Sequence, residues 1–336
     1  MPSLHPAPHP SPSDPARVSE LYTLLEPVAV RADSPRARFT NWGLSFSCTP
    51  LAVFEPATEA QCEHILELAR LEKKTVRVVG CGHSPSDLAC TSGFMLRTER
   101  LDKVIEVCPI VISPFAPLGF AQSSVIRRSP LPPSHPIGAV VRWPALSRSL
   151  PVASSTPPLT VFPPQVNRDK RYVLCQAGIT LNTLHAVLAD HGLAMPNLGS
   201  ISEQTIGGVI TTATHGTGFD FPVLSMGVLS LVILLADGSR VRCSRTEHSD
   251  LFLASLCGLG STGLILQVQL QVGPAFRLKE VQESHTFDDA LRNMDMVARS
   301  AEHVRYWWFP QADVVRTSVF NKTHEVRTKA LRAIWP

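Results

Sequence analysis

Three glycine-rich stretches constrain this chain more than any other feature: GCGHSPSD at 80–87, LGSISEQTIGGVITTATHGTG at 198–218 and CGLGSTG at 257–263. Each adjoins an apolar element. Glycine lets a backbone approach a ligand closely and take positive φ. Backbone N–H groups at such turns cradle anions, above all where a helix begins. Several cradles in one chain suit a ligand with a pyrophosphate and a long body. The nicotinamide-dinucleotide fingerprint G-x-G-x-x-G fails here, because GCGHSP puts Pro85 at the sixth position and no acidic residue follows where a ribose partner belongs.

His83 is the odd residue in the first stretch. It follows the apolar run TVRVVG among glycines and serines, a place too polar and small-lined for ordinary core. It calls for a metal, a proton to move, or a large group held against the backbone; a packed or solvent-facing histidine is the bland alternative. The donor set Cys81, His83, Asp87 and Cys90 mixes soft and hard ligands and has no second cluster, which argues against a metal site. No G-x-S-x-G elbow supports a serine nucleophile.

The elements around these stretches read as a mixed α+β chain. LAVFEP and TVRVVG are strands flanking a helix that Thr58 caps, with Ile65, Leu66, Leu68 and Ala69 on one side. MLRTERLDKVIEV reads as two short strands around a turn. YVLCQA is a strand, and TLNTLHAVLADHG a helix with Thr180 as its cap and Gly192 as its stop. VLSMGVLSLVILLADG is too short and too β-branched to span a membrane and reads as a buried strand entering a tight turn. SDLFLASLCGLGSTGLILQVQLQV gives a helix, a glycine loop and a long strand. After Pro274 a new unit opens: RLKEVQES as strand, TFDDALRNMDMVARSA as one helix, and EHVRYWWFP as a strand whose aromatics read as core.

Residues 108–168 break the pattern, with 13 of the 29 prolines and no Asp or Glu. A loop of that length inside a domain is a warning sign. Either it is a disordered surface insertion or it is translated non-coding sequence; no function attaches to it. The net charge of +3 and the lack of a basic stripe with aromatics argue against nucleic acid. The eight cysteines form no C-x-x-C pair, and MPSLHPAPHPSPSDP lacks a secretory core, so reduced thiols in an intracellular compartment are expected. The sequon at Asn321 is read as chance.

VRVVGCGHSPSDLACTSGFMLRTERLDKVIEV, GLAMPNLGSISEQTIGGVITTATHGTG and GLGSTGLILQVQL resemble the aldonolactone oxidases, FAD flavoproteins of the vanillyl-alcohol-oxidase type. The likeness runs over residues 40–107 and 169–320, about two-thirds of the chain. It implies a two-subdomain PCMH-type FAD-binding fold over 39–273, interrupted by the 108–168 insertion, after a disordered 1–38. The start of an α+β substrate (cap) domain would follow over 274–336. It implies that His83 bonds covalently to the isoalloxazine 8α carbon. Gly80, Cys81, Gly82, Ser84 and Ser86 would lie along the pyrophosphate and ring edge, Ser200, Thr205, Gly207, Gly208, His215 and Gly216 on the other side, and Gly263 and Ile265 in the third cradle. A glycine at Gly199 matches the oxidases rather than the dehydrogenases, so O2 is the expected acceptor.

The resemblance further implies oxidation of an aldono-1,4-lactone, D-arabinono-1,4-lactone foremost, at its C2 hydroxyl, giving an ascorbate-like enediol and hydrogen peroxide. Related sugar or sterol flavoenzymes are the neighbouring alternative. A mitochondrial, peripherally membrane-associated setting is implied by the same likeness; otherwise the chain reads as cytoplasmic. One departure stands out. The family's late E-x-H-W-x-K-like motif has no counterpart, since no HW pair follows residue 274. The substrate domain is therefore expected to be cut short and the catalytic residues stay unassigned. A flavin-binding chain without turnover is the competing expectation.

Overall fold

Residues 14–108 and 171–323 are described in the computed structural model. Almost all of the proline-rich stretch lies outside the described residues, as do 1–13 and 324–336.

The first correction comes at the N-terminus. From residue 14 onward the segment expected to be disordered is built into the core. Asp14 accepts hydrogen bonds from the backbone N–H groups of Ala16 and Arg17 and so caps helix α1 (Pro15–Leu25). Leu21 and Leu25 are buried with Ile65 and Leu68 of α2 (Glu59–Leu71). Arg17 adds a two-pronged contact to Glu67, Nε to Oε1 at 2.8 Å and Nη2 to Oε2 at 2.7 Å. The i, i+4 spacing of Leu21 and Leu25 puts both on one face, and that apolar face needs a partner helix.

A small hairpin follows, β1 (Phe39–Thr40) with β2 (Ser47–Cys48). Its turn is held by buried Asn41, whose Oδ1 accepts from Ser45 N at 2.9 Å and Phe46 N at 3.0 Å. The Asn41 amide then donates to Ser84 O at 3.0 Å, tying the hairpin to the first glycine loop.

Strand β3 (Ala52–Phe54), helix α2, strand β4 (Val76–Val79) and strand β5 (Phe94–Arg97) make a parallel sheet in the order β3-β5-β4. Thr58 caps α2 as expected, in a reciprocal pair: Gln61 N donates to Thr58 Oγ1 at 3.3 Å and Thr58 N to Gln61 Oε1 at 3.1 Å. The loop from Gly80 to Gly93 leaves the carboxyl end of β4, where a parallel sheet leaves room for ligands.

Strand β6 (Val104–Cys108) forms as expected but does not pair with β5. The turn closed by Leu101 N on Thr98 O at 2.8 Å redirects the chain into a second sheet. That sheet also holds β7 (Tyr172–Gln176), and helix α3 (Leu181–Asp190), capped by Thr180, follows β7. Beyond β8 (Leu193–Ala194) and the six-residue helix α4 (Ile206–Thr211) comes the hairpin of β9 (Val228–Leu234) and β10 (Arg240–Ser244). Helix α5 (Ser249–Ser255) leads into β11 (Leu264–Gln271), and β12 (Gly273–Pro274) pairs with β8. The order is β10-β9-β11-β7-β6, antiparallel throughout.

Val173, Cys175, Leu231, Ile233, Val268 and Leu270 of this sheet pack with α3, α4 and α5 residues in one core. Leu234, Leu264 and Leu266 instead join Ile65, Leu68, Phe94 and Leu96. This second core welds the antiparallel unit to the parallel one.

The last described unit is β13 (Arg277–His285), α6 (Phe287–Arg292), α7 (Met294–Ala298), β14 (His303–Phe309) and β15 (Val314–Thr323), with strand order β13-β15-β14. The single helix expected over TFDDALRNMDMVARSA is two, broken at Asn293, whose side chain donates to Asp289 O at 2.9 Å. Asn competes with the helix for its own backbone partners. Trp307, Trp308 and Phe309 are 51%, 56% and 47% exposed, so the expectation that they are core is corrected. Phe287 at the start of α6 packs on Trp308, ring centroids 4.8 Å apart, yet leaves both tryptophans more than half exposed. Buried His303 anchors the sheet to the second glycine stretch, with Nδ1 2.6 Å from Thr217 O and its ring stacked on Phe221. No helix among the described residues is long and apolar enough to cross a membrane.

Candidate functional site

Between the parallel and antiparallel units lies a cavity of about 560 Å³, a size suited to a small organic ligand or cofactor. Its walls come from the end of β4 with the first glycine loop, from α4, and from the start of β11. Gly80, Cys81, Gly82, His83 and Ser84 line it on one side; Thr205, Gly207 and Gly208 face it from another; Gly263 and Ile265 complete it from the third glycine stretch. Residues from three distant parts of the sequence converge here.

Close backbone packing explains two of these glycines. A Cβ on Gly80 would run into Thr205 Oγ1, the atom that accepts from Gly208 N at 3.4 Å and starts α4. Gly82 has φ +74°, and a Cβ there would sit 3.0 Å from the Phe39 ring. Any side chain at these points would disturb the wall that α4 and the hairpin form.

The other site residues expected from the sequence do not line this cavity. Ser86 accepts from Leu88 N at 3.4 Å in a turn of its own loop. Ser200 and His215 are exposed, the latter with Nδ1 3.0 Å from Gly216 O. Gly216 packs where Asn197 Oδ1 and Leu198 O leave no space for a Cβ, and a Cβ on Gly199 would meet Thr214 Cγ2 at 3.1 Å. These glycines let two passes of the second stretch lie against each other.

His83 sits under a ring that sequence reasoning missed. Trp42 stacks on it with centroids 5.4 Å apart and planes at 28°, while Trp42 N donates to Gly82 O at 2.9 Å. His83 Nδ1 is buried and has no hydrogen-bond partner. The neighbouring Cys81 thiol is pushed up by burial, partly offset by the backbone N–H groups of Thr205 and His83. The mixed donor set of Cys81, His83, Asp87 and Cys90 does not converge: among the described residues no three His, Cys, Asp or Glu side chains gather where they could hold a metal.

A second missed group is cationic. Arg70, Lys73 and Lys74 line the same cavity from the end of α2 and the turn after it. The run RLEKK is the signal that could have found them, although a solvated helix end is what such a run usually means. A cavity with glycine walls, basic groups and a histidine fits a flavin dinucleotide: the basic groups complement a pyrophosphate, and the glycine walls admit a flat ring system.

Residues 50–128 and 164–244 match the family model described as an FAD binding domain, and residues 268–336 match the model described as D-arabinono-1,4-lactone oxidase. An L-gulonolactone oxidase of Mus musculus is 31% identical over 298 residues, covering 89% of this chain and 54% of that protein. A D-arabinono-1,4-lactone oxidase of Yarrowia lipolytica is 30% identical over 289 residues, covering 85% of this chain and 44% of that protein. Among solved structures, a solvent-stable cholesterol oxidase matches with a TM-score of 0.62 at 18% identity, over 86% of this chain and 48% of that one, which speaks to the fold alone. The chain spans about half the length of the curated relatives it matches.

Proposed function

We propose that this chain, which matches an FAD binding domain model and the D-arabinono-1,4-lactone oxidase model and shares the fold of an FAD oxidase, is an aldonolactone-oxidase relative that serves the FAD-dependent oxidation of an aldono-1,4-lactone, with dioxygen reduced to hydrogen peroxide. D-arabinono-1,4-lactone is the proposed substrate, because the matched model over 268–336 carries that description. The observation that carries the cofactor reading is the convergence of His83 and three glycine-rich stretches on one cavity.

A bound flavin supplies a two-electron acceptor able to take hydride from the lactone C2 and pass the electrons to dioxygen. The chain's own part is to hold and shield it. His83 would carry the covalent link to the 8α carbon, with an unprotonated ring nitrogen as nucleophile and Trp42 holding the imidazole plane. Arg70, Lys73 and Lys74 would neutralise the phosphates. Gly80, Gly82, Gly207 and Gly208 would let backbone lie close to the cofactor, while Leu234 and Ile265 keep water from it. Gly199 supports dioxygen as acceptor on the family resemblance alone, as that resemblance alone supports a mitochondrial, membrane-associated setting. The sheet from Arg277 onward is read as the substrate-side unit. No acid or base for the lactone is assigned among the described residues.

Expression of the chain with FAD, followed by acid precipitation, tests the first step. Yellow colour that stays with the precipitate supports the link, and its loss in His83→Ala places the link at His83. Peroxide released on adding D-arabinono-1,4-lactone supports turnover. Colour without peroxide would mark a flavin-binding chain without turnover, and an uncoloured chain would sink the reading.

A further inference from the structure

We infer that Cys48 and Cys90 form a reversible thiol–disulfide pair that locks the β1–β2 hairpin onto the loop carrying His83. Cys48 closes β2 and pairs across the hairpin with Phe39. Cys90 sits in the loop from Gly80 to Gly93. Both side chains pack on one small cluster, Phe39, Val53, Val79 and Met95. Thr91 N, the residue after Cys90, donates to Cys48 Sγ at 3.5 Å. Burial, with the Cys48 thiol beside it, holds the Cys90 thiol above its ordinary value. Both cysteines are free and partly accessible.

Cys81, on the same loop, is a poorer partner, because it lines the cavity and is not part of that cluster. Cys62 and Cys175 are fully buried in the other two cores.

The hairpin is the weak piece of this arrangement. Two residue pairs join its strands, and a two-stranded hairpin is marginal on its own. Yet it carries Trp42 over His83. A bond from Cys48 to Cys90 ties that cover to the loop it covers. Locked, the hairpin hinders entry of a flavin; unlocked, it admits one. This consequence rests on the flavin reading, whereas the disulfide itself does not.

A peroxide is the oxidant, hydrogen peroxide in the simplest case. One sulfur, as thiolate, takes an oxygen as the O–O bond breaks, giving a sulfenic acid and one water. The second sulfur then forms the S–S bond and displaces that oxygen as a second water. The two thiols together lose two electrons and two protons, and the peroxide gains them. A dithiol reverses the step and becomes a disulfide itself. The raised Cys90 thiol makes oxidation faster as pH rises.

The test takes the full chain, reduced and then treated with hydrogen peroxide, quenched by alkylation under denaturing conditions and mapped by peptide mass. The expected result is one peptide joining Cys48 to Cys90, reversed by dithiothreitol and absent from Cys48→Ser and Cys90→Ser, with Cys257 labelled equally in all three. Separate alkylation of Cys48 and Cys90 after oxidation, or a link from Cys90 to Cys81, would overturn the pairing. FAD uptake by flavin-poor protein reads the lock: at least fivefold slower when oxidised, with no redox effect in Cys48→Ser. A link that leaves uptake unchanged would overturn the lock. If no form takes up FAD, the flavin reading fails while the peptide map still decides the pairing.

Discussion

Trp42 covers His83, 5.4 Å centroid to centroid, although its own side chain is 70% exposed. A large aromatic left that open is held for what it touches rather than for the stability it adds. Trp42→Ala should leave stability within about 0.5 kcal/mol. It should slow the appearance of acid-stable flavin roughly two- to tenfold, since such a stack is worth about 0.5–1.5 kcal/mol. Trp42→Phe should recover most of the rate. The time course of colour in acid precipitates checks this, and an unchanged rate in the alanine variant counts against any role for the ring.

Gly80 and Thr205 are a packing pair across the cavity wall. Gly80→Ala forces a methyl onto the Thr205 hydroxyl and should cost about 1–3 kcal/mol by overpacking, with loss of retained flavin. Thr205→Ala alone should cost about 1 kcal/mol through the lost cap of α4. The double variant should be more stable than the sum of the single losses implies. Urea titration of the four proteins measures that coupling; strict additivity would mean the two residues do not meet.

Leu21 is fully buried between α1 and α2. Leu21→Ala should destabilise the chain by about 2–5 kcal/mol, the usual range for a large core residue cut to alanine. A change below about 0.5 kcal/mol in the urea midpoint would return the N-terminal helix to the status of a loose appendage.

His185 on α3 is half-buried, its Nε2 has no partner, and burial depresses its pKa below the ordinary 6.5. The unfolded chain therefore binds a proton here before the folded one does. Its contribution to stability is intact above about pH 6.5 and falls as pH drops through that value toward the lower folded one. Denaturant midpoints between pH 7.5 and 5.5 should show the decline, and His185→Gln should flatten it. A slope identical in both proteins would assign the effect to other groups.

Legibility followed the range of the forces. Thr58 with Gln61, Thr180 at the head of α3, and the turn at Asp237 are settled within three or four residues, so the local sequence is enough to place them. The cavity glycines were readable for a related reason: Gly80 and Gly82 share a short motif with His83. Gly199 and Gly216 lie off the cavity lining, and glycine spacing alone does not tell a ligand wall from two chain segments packed on each other.

By itself, then, the sequence determined helices α2, α3 and α5, most strands, the α+β class and the glycine loops, because capping, periodicity and turn chemistry act between neighbours. Tertiary structure alone decided that β5 and β6 enter different sheets and that α1 joins the core. It alone set Trp42 above His83, Lys74 on the cavity and Cys48 beside Cys90. Each of those contacts joins residues far apart in the chain, and burial of shared apolar surface, which carries no local signature, is what brings them together.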